Sequence, residues 1–136
     1  MGEKTKILLV DDDVDFVDLN TAVLKNQGFE VASAFSGREA IEKVKFENPD
    51  LIVLDLMMEK HDAGFTFAKT IKADPLYKNI PILMLTAVST ETGYDFSQEL
   101  DGYWMKTDDY ASKPLLPDEL VKKVKSLLEK ARKGME

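Results

Sequence analysis

Asp11, Asp12, Asp55, Thr86 and Lys113 are the residues of this chain whose types and spacing could do chemistry together. Each closes a short run rich in apolar residues. Ile7-Leu8-Leu9-Val10 precedes the acidic pair, Leu51-Ile52-Val53-Leu54 precedes Asp55, Ile82-Leu83-Met84-Leu85 precedes Thr86, and Tyr110-Ala111-Ser112 precedes Lys113. Singly they carry little weight, because an Asp after a strand is ordinarily a turn or cap residue. Brought together, three carboxylates repel one another unless a cation neutralises them. A small set of oxygen ligands, completed by water, suits Mg²⁺ (or Mn²⁺) better than zinc. A metal beside a carboxylate, with a hydroxyl and an ammonium, is also what phosphoryl transfer requires, since that reaction is mostly positioning and neutralisation of equatorial oxygens. Asp55 could be the nucleophile, forming an acyl phosphate.

The elements that must position these groups follow from the hydrophobic pattern. Apolar runs bounded by turn residues read as strands buried on both faces. Residues 30–34 read as a weaker strand at an edge, and 110–114 as a last short one. Between the strands, Phe16, Leu19 and Val23 recur at helical spacing until Gly28 offers a stop. Ser36-Gly37-Arg38-Glu39 has the capping-box pattern and opens a helix with Ala40, Ile41 and Val44 turned inward. Phe65, Ala68 and Ile71 mark a third helix ending near Asp74-Pro75. Pro117-Asp118-Glu119 starts a final one with Leu120, Val121, Val124, Leu127, Leu128 and Ala131 on one stripe. Five alternations of strand and helix predict an α/β fold: a flavodoxin-like, doubly wound parallel sheet of five strands in the order 2-1-3-4-5. In that order strands one and four lie about 5 Å from strand three, and strand five about 10 Å away, within reach of a lysine arm. All the named polar groups then open at one rim of the sheet.

Bulk properties narrow the function classes. The 136 residues suit a single domain over 1–136, with a core over about 5–130 and frayed termini. Hydrophobic residues at 44% and charged residues at 32% are an ordinary globular balance, which argues against disorder. A net charge of -7 speaks against a nucleic-acid partner. The absence of cysteine removes disulfides, thiolate nucleophiles and Cys-based zinc sites. No signal segment opens the chain and no run reaches membrane-spanning length, so a cytoplasmic protein with no membrane partner is expected. His61, the only histidine, reads as a solvent-exposed loop residue. The lysines at 122, 123, 125 and 130 read as the wet face of the last helix.

At this point the chain resembles a response-regulator receiver domain over nearly its whole length. The resemblance is carried by Ile7 to Asp13, Pro49 to Met58, Ile80 to Ala87 and Tyr110 to Pro114, four motifs in order. It implies that Asp55 accepts a phosphoryl group from a phosphohistidine on a sensor histidine kinase or histidine phosphotransfer protein. It further implies that Asp11 and Asp12 hold Mg²⁺ together with Asp55, Asp12 directly and Asp11 partly through water, with the backbone carbonyl of Met57 as a further ligand. Lys113 and Thr86 would contact the phosphoryl oxygens, and Tyr110 would be an aromatic switch that follows Thr86. A cis peptide before Pro114 would help aim Lys113. The implied protein is a switch that assists its own phosphorylation, not an enzyme turning over a separate substrate.

The chain also leaves the family pattern. Where family members commonly have Pro and then Asp-Gly after the acceptor, this chain has Glu59 and Asp62-Ala63-Gly64, one residue longer and with an added charge. The stretch between Thr86 and Lys113 is also longer than usual, interrupted by Thr92-Gly93 and Gly102, and carries Tyr94, Phe96, Leu100, Tyr103, Trp104 and Met105. Core packing explains these aromatics best; the other reading is a patch within 88–112 for an unknown downstream protein. Met57 and Val88, each two residues past a site residue, would orient an attacking water poorly, so slow self-dephosphorylation is expected. With nothing after Glu136, a stand-alone switch is the expected organisation, acting by binding a partner or by relaying phosphate to another histidine protein; one domain of a longer regulator or hybrid kinase is the other reading. Two other classes compete: a receiver-like binding module that is never phosphorylated, and an aspartate-nucleophile phosphatase. The second would show Asp-x-Asp-x-Thr at the nucleophile, and here the second acid is Met57. No Gly-x-Gly-x-x-Gly follows the first strand, which disfavours a dinucleotide enzyme.

Overall fold

A computed structural model of the chain describes residues 4–56, 63–86, 109–112 and 115–134. Five strands form one parallel sheet: β1 (Lys6–Val10), β2 (Glu30–Ala34), β3 (Leu51–Asp55), β4 (Ile82–Thr86) and β5 (Asp109–Ser112). Their order is β2-β1-β3-β4-β5, as the pattern predicts. Four helices are described: α1 (Val14–Asn26), α2 (Gly37–Glu47), α3 (Ala63–Ala73) and α4 (Pro117–Gly134). The last continues past Lys130.

Alternation along the strands divides the core in two. Leu8 and Val10 of β1, with Ile52, Leu54, Ile82 and Met84, face Ala40 and Val44 of α2 and Phe67, Ala68 and Ile71 of α3. Ile7 and Leu9, with Leu51, Val53, Leu83 and Leu85, face Val17 and Leu24 of α1 and Leu120, Val124 and Leu127 of α4. Successive side chains of a strand point to opposite faces, so a strand apolar at every position needs a helix layer on each side. β3 is buried at all five positions, which is why its last residue is delivered to the rim from the centre of the sheet.

Local chemistry sets the helix ends. Asp13 caps α1, its side chain accepting from the Phe16 N–H at 3.2 Å. Ser36 caps α2 by accepting from the Glu39 N–H at 3.1 Å, and Glu39 Oε1 reaches back to the Phe35 N–H at 2.6 Å. Asn48 closes α2 in the left-handed region (φ 50°), and Gly28 follows α1 with φ 94°.

One helix face is rotated from the expected one. α1 buries Val17, Asn20 and Leu24, whereas Leu19 is 54% exposed and Phe16 and Val23 are half-buried. α1 has apolar residues on more than one side, and its buried stripe includes an asparagine that a hydrophobicity pattern passes over. α3 buries Phe67, Ala68 and Ile71; the Phe65 side chain lies outside the described set.

At the rim opposite the strand ends, Lys6 Nζ meets Glu47 Oε1 at 3.0 Å and the Lys6 N–H donates to Asp50 Oδ2 at 2.8 Å. The Glu47 hydrogen bond, opposed by partial burial, holds the Lys6 ammonium above its ordinary 10.5.

Candidate functional site

Asp11 and Asp12 follow the last residue of β1, and Asp55 is the last residue of β3. These strands are neighbours, with Val10 paired to Leu54, so both carboxylate groups leave the sheet at the same rim. One carboxylate oxygen from each of Asp11, Asp12 and Asp55 lies within 4.8 Å of the other two. Asp11 is 1% exposed and Asp55 5%, while Asp12 faces solvent.

The backbone holds these acids from several directions. The Asp11 N–H donates to Ala34 O of β2 at 3.1 Å, and Asp11 Oδ1 accepts from the Asp13 N–H at 2.9 Å. Asp55 is paired with Leu85, and the next N–H, that of Leu56, donates to Leu85 O at 2.9 Å. Two ionised carboxylates at this separation would repel by about 3 kcal/mol at an effective dielectric of ~20. Buried charge of one sign is tolerated where a cation completes it. Three oxygen donors, two fixed by the fold and one open to water, fit a hard divalent ion that keeps part of its water shell. The chemistry of the donor set therefore fits Mg²⁺.

The remaining expected residues fall as follows. Thr86 ends β4, one residue beyond the partner of Asp55, and its own partner is Ser112 of β5. The Thr86 side chain lies outside the described set. Tyr110 is in β5, paired with Met84, and is 51% exposed. Met57, Lys113, Pro114, Glu59, His61, Val88 and the aromatic residues from Tyr94 to Trp104 all lie outside the described residues.

Two contributors lie beside the expected set. Asp13, which its position in the sequence offers as an N-cap or a peripheral charge, does cap α1 with its side chain, and its backbone N–H also fixes Asp11. Gly64, in the first turn of α3, lies directly against the backbone of Asp55 and Leu56. No pattern along the chain announces that contact.

The sequence and the five-stranded fold have counterparts among known proteins. The family described as Response regulator receiver domain matches residues 7–125. The alkaline phosphatase synthesis transcriptional regulatory protein PhoP of Bacillus subtilis is 40% identical over 93% of this chain and 49% of its own length. The DNA-binding dual master transcriptional regulator RpaA of Synechocystis is 35% identical over 90% of this chain and 48% of its own. This chain thus spans about half the length of the curated relatives it matches. Among solved structures, the chemotaxis response regulator CheY4 of Vibrio cholerae superposes with a TM-score of 0.78 at 32% identity, covering 92% of this chain and 99% of that one. A two-component response regulator from Clostridium difficile gives 0.77 at 30% identity, covering 93% and 97%. Among the described residues no helix is long and apolar enough to cross a membrane. By sequence and by fold, the chain belongs to the response regulator receiver domain family.

Proposed function

We propose that this receiver domain is a cytoplasmic phosphoacceptor switch in which Asp55 takes a phosphoryl group from a histidine kinase or histidine phosphotransfer protein, and that the phosphorylated form engages a downstream protein. The observation that carries the reading is the meeting of Asp11, Asp12 and Asp55 within 4.8 Å at the end of the central strands. An Asp55 carboxylate oxygen forms the new bond to phosphorus as the phosphorus–nitrogen bond of the donor imidazole breaks. The electron pair of that bond stays on the imidazole nitrogen, which takes a proton from solvent. Asp11 and Asp12 hold Mg²⁺ or Mn²⁺, with the Met57 carbonyl as a further ligand by family resemblance. A divalent ion bound there supplies positive charge to the phosphoryl oxygens.

The other roles rest on strand register together with the resemblance. Thr86 follows Leu85, the partner of Asp55, and Lys113 follows Ser112, the partner of Thr86. That supports a hydroxyl and an ammonium arriving at the phosphoryl group from the next two strands. Tyr110, exposed on β5 and paired with Met84, takes the aromatic-switch role by the resemblance. RpaA is by name DNA-binding and PhoP a transcriptional regulatory protein, properties of those proteins; for this chain we assign the output to a protein contact through residues 88–112.

Incubation with acetyl phosphate and Mg²⁺, read by intact mass, tests the reading. One phosphoryl group should add to the parent protein and none to Asp55→Asn or in the presence of EDTA. A parent that stays unlabelled, or an Asp55→Asn protein that is labelled equally, would remove the proposal and favour a binding module that is never phosphorylated.

A further inference from the structure

Gly64 stands where a side chain has no room. A Cβ on this residue would fall 2.4 Å from Leu56 Cα, 2.6 Å from the Asp55 carbonyl oxygen and 2.7 Å from the Leu56 carbonyl carbon. All three are backbone atoms, so no change of rotamer relieves the contact. Gly64 does not have the positive φ that would call for glycine, and helix propensity alone favours alanine in the first turn of α3. The residue is accounted for by close approach.

Both sides of that approach are pinned. Leu56 is buried and its N–H is bonded to Leu85 O, while Asp55 is in register with Leu85. α3 is anchored by Phe67, Ala68 and Ile71 in the same core as Leu54 and Leu56. Bringing these contacts out to the 3.4 Å at which ordinary van der Waals contact begins requires a shift of about 1 Å. That displacement must be shared between the helix and the peptide that carries the Asp55 carboxylate.

We propose that Gly64 is a positioning residue for Asp55: its missing side chain lets the first turn of α3 abut the Asp55–Leu56 peptide, and this contact holds the Asp55 carboxylate in register with Asp11 and Asp12. Gly64 acts through the backbone and touches neither phosphorus nor metal. The inference rests on the reading of Asp55 as phosphoacceptor for its effect on transfer, but its effect on metal affinity does not depend on that reading. A misplacement of about 1 Å can lower the rate of a positioned reaction by about 10²-fold.

The test compares Gly64→Ala with Ala68→Gly, a substitution at a buried position of the same helix that loosens α3 without meeting the Asp55 peptide. Thermal midpoint, Mg²⁺ affinity by calorimetric titration, and the labelling rate at saturating acetyl phosphate are measured for each, at low temperature and with a stabilising osmolyte present. Gly64→Ala should bind Mg²⁺ at least several-fold more weakly and label roughly 10- to 100-fold more slowly. Ala68→Gly should lower the midpoint while leaving both within about twofold, being remote from the reacting groups. Parental affinity and rate in Gly64→Ala, or equal losses in Ala68→Gly, would overturn the proposal. So would a Gly64→Ala protein that does not fold even under these conditions, because the glycine would then serve folding and not alignment. If the parent is never labelled but Gly64→Ala still loses Mg²⁺ affinity, the alignment stands and the phosphoacceptor reading falls.

Discussion

At Asp55 a carboxyl side chain, 5% exposed, ends a strand otherwise made of Leu, Ile and Val, with two further carboxyl groups within 4.8 Å. Repulsion among ionised carboxylates so close together opposes folding, and a divalent ion would relieve it. Asp55→Asn should therefore raise the stability of the metal-free protein, by about 1 kcal/mol once solvent screening is allowed for. Mg²⁺ at 100 times its dissociation constant should stabilise the parent by about 2.7 kcal/mol, and the same concentration should stabilise Asp55→Asn less. Urea denaturation with and without Mg²⁺ measures both; a variant less stable than the metal-free parent would count against the repulsion argument. Asn20 is the second residue where polarity meets the core. Its Nδ2 donates to Phe16 O at 2.9 Å, but its buried Oδ1 has no partner among the described residues. An unpaired buried acceptor costs about 1–3 kcal/mol, so Asn20→Leu, with the same branching, should raise the urea midpoint by the equivalent of about 1 kcal/mol. The acids were legible in the sequence because an unbroken apolar run makes the next polar residue conspicuous. Asn20 was not, since its burial depends on which side of α1 meets α4, and the helix offers apolar residues at 14, 16, 17, 19, 23 and 24.

The elements repeat that contrast between what a pattern shows and what only packing decides. Strands β1, β3 and β4 and the capped start of α2 could be read directly, since continuous burial and a Ser-x-x-Glu sequence leave few alternatives. Removing that cap in Ser36→Ala should lower stability by about 1 kcal/mol while leaving Mg²⁺ affinity unchanged, because α2 contributes no side chain to the acidic cluster. Calorimetric titration beside urea melts would check this, and a parallel loss of affinity would show the two regions to be coupled. The buried face of α1 lies one position on from the one its apolar spacing points to, and the approach of α3 to the Asp55 peptide has no signature in the sequence. Periodicity fixes which residues share a face, but a backbone contact between residues nine apart depends on how a turn closes.

For the molecule as a whole, the two rims of the sheet differ in kind. One gathers Asp11, Asp12 and Asp55; the other is closed by Lys6 with Glu47 and Asp50. The Lys6 ammonium is held above 10.5 in the folded state, chiefly by its hydrogen bond to Glu47. A raised folded-state value means the pair's contribution is present in full below 10.5 and fades as the pH climbs through the folded value. Glu47→Gln should thus lower the thermal midpoint slightly at pH 7, and the difference from the parent should close in strongly alkaline buffer. Labelling by acetyl phosphate should be unaffected at neutral pH, since the pair lies at the far rim. A midpoint difference that persists unchanged above pH 11 or so would mean the pair's charge is not its source.

The order β2-β1-β3-β4-β5 leaves β2 and β5 outermost. Outermost strands invite copies of a protein to zip together through their open backbones, the first step towards fibres. Here they are only five and four residues long, and each begins with an acid, Glu30 or Asp109. Two copies meeting edge to edge through either strand would gain only a very short ladder of backbone hydrogen bonds, and at β5 they would meet an acid already paired with Lys123. Short, charged outer strands are a recognised guard against such polymerisation.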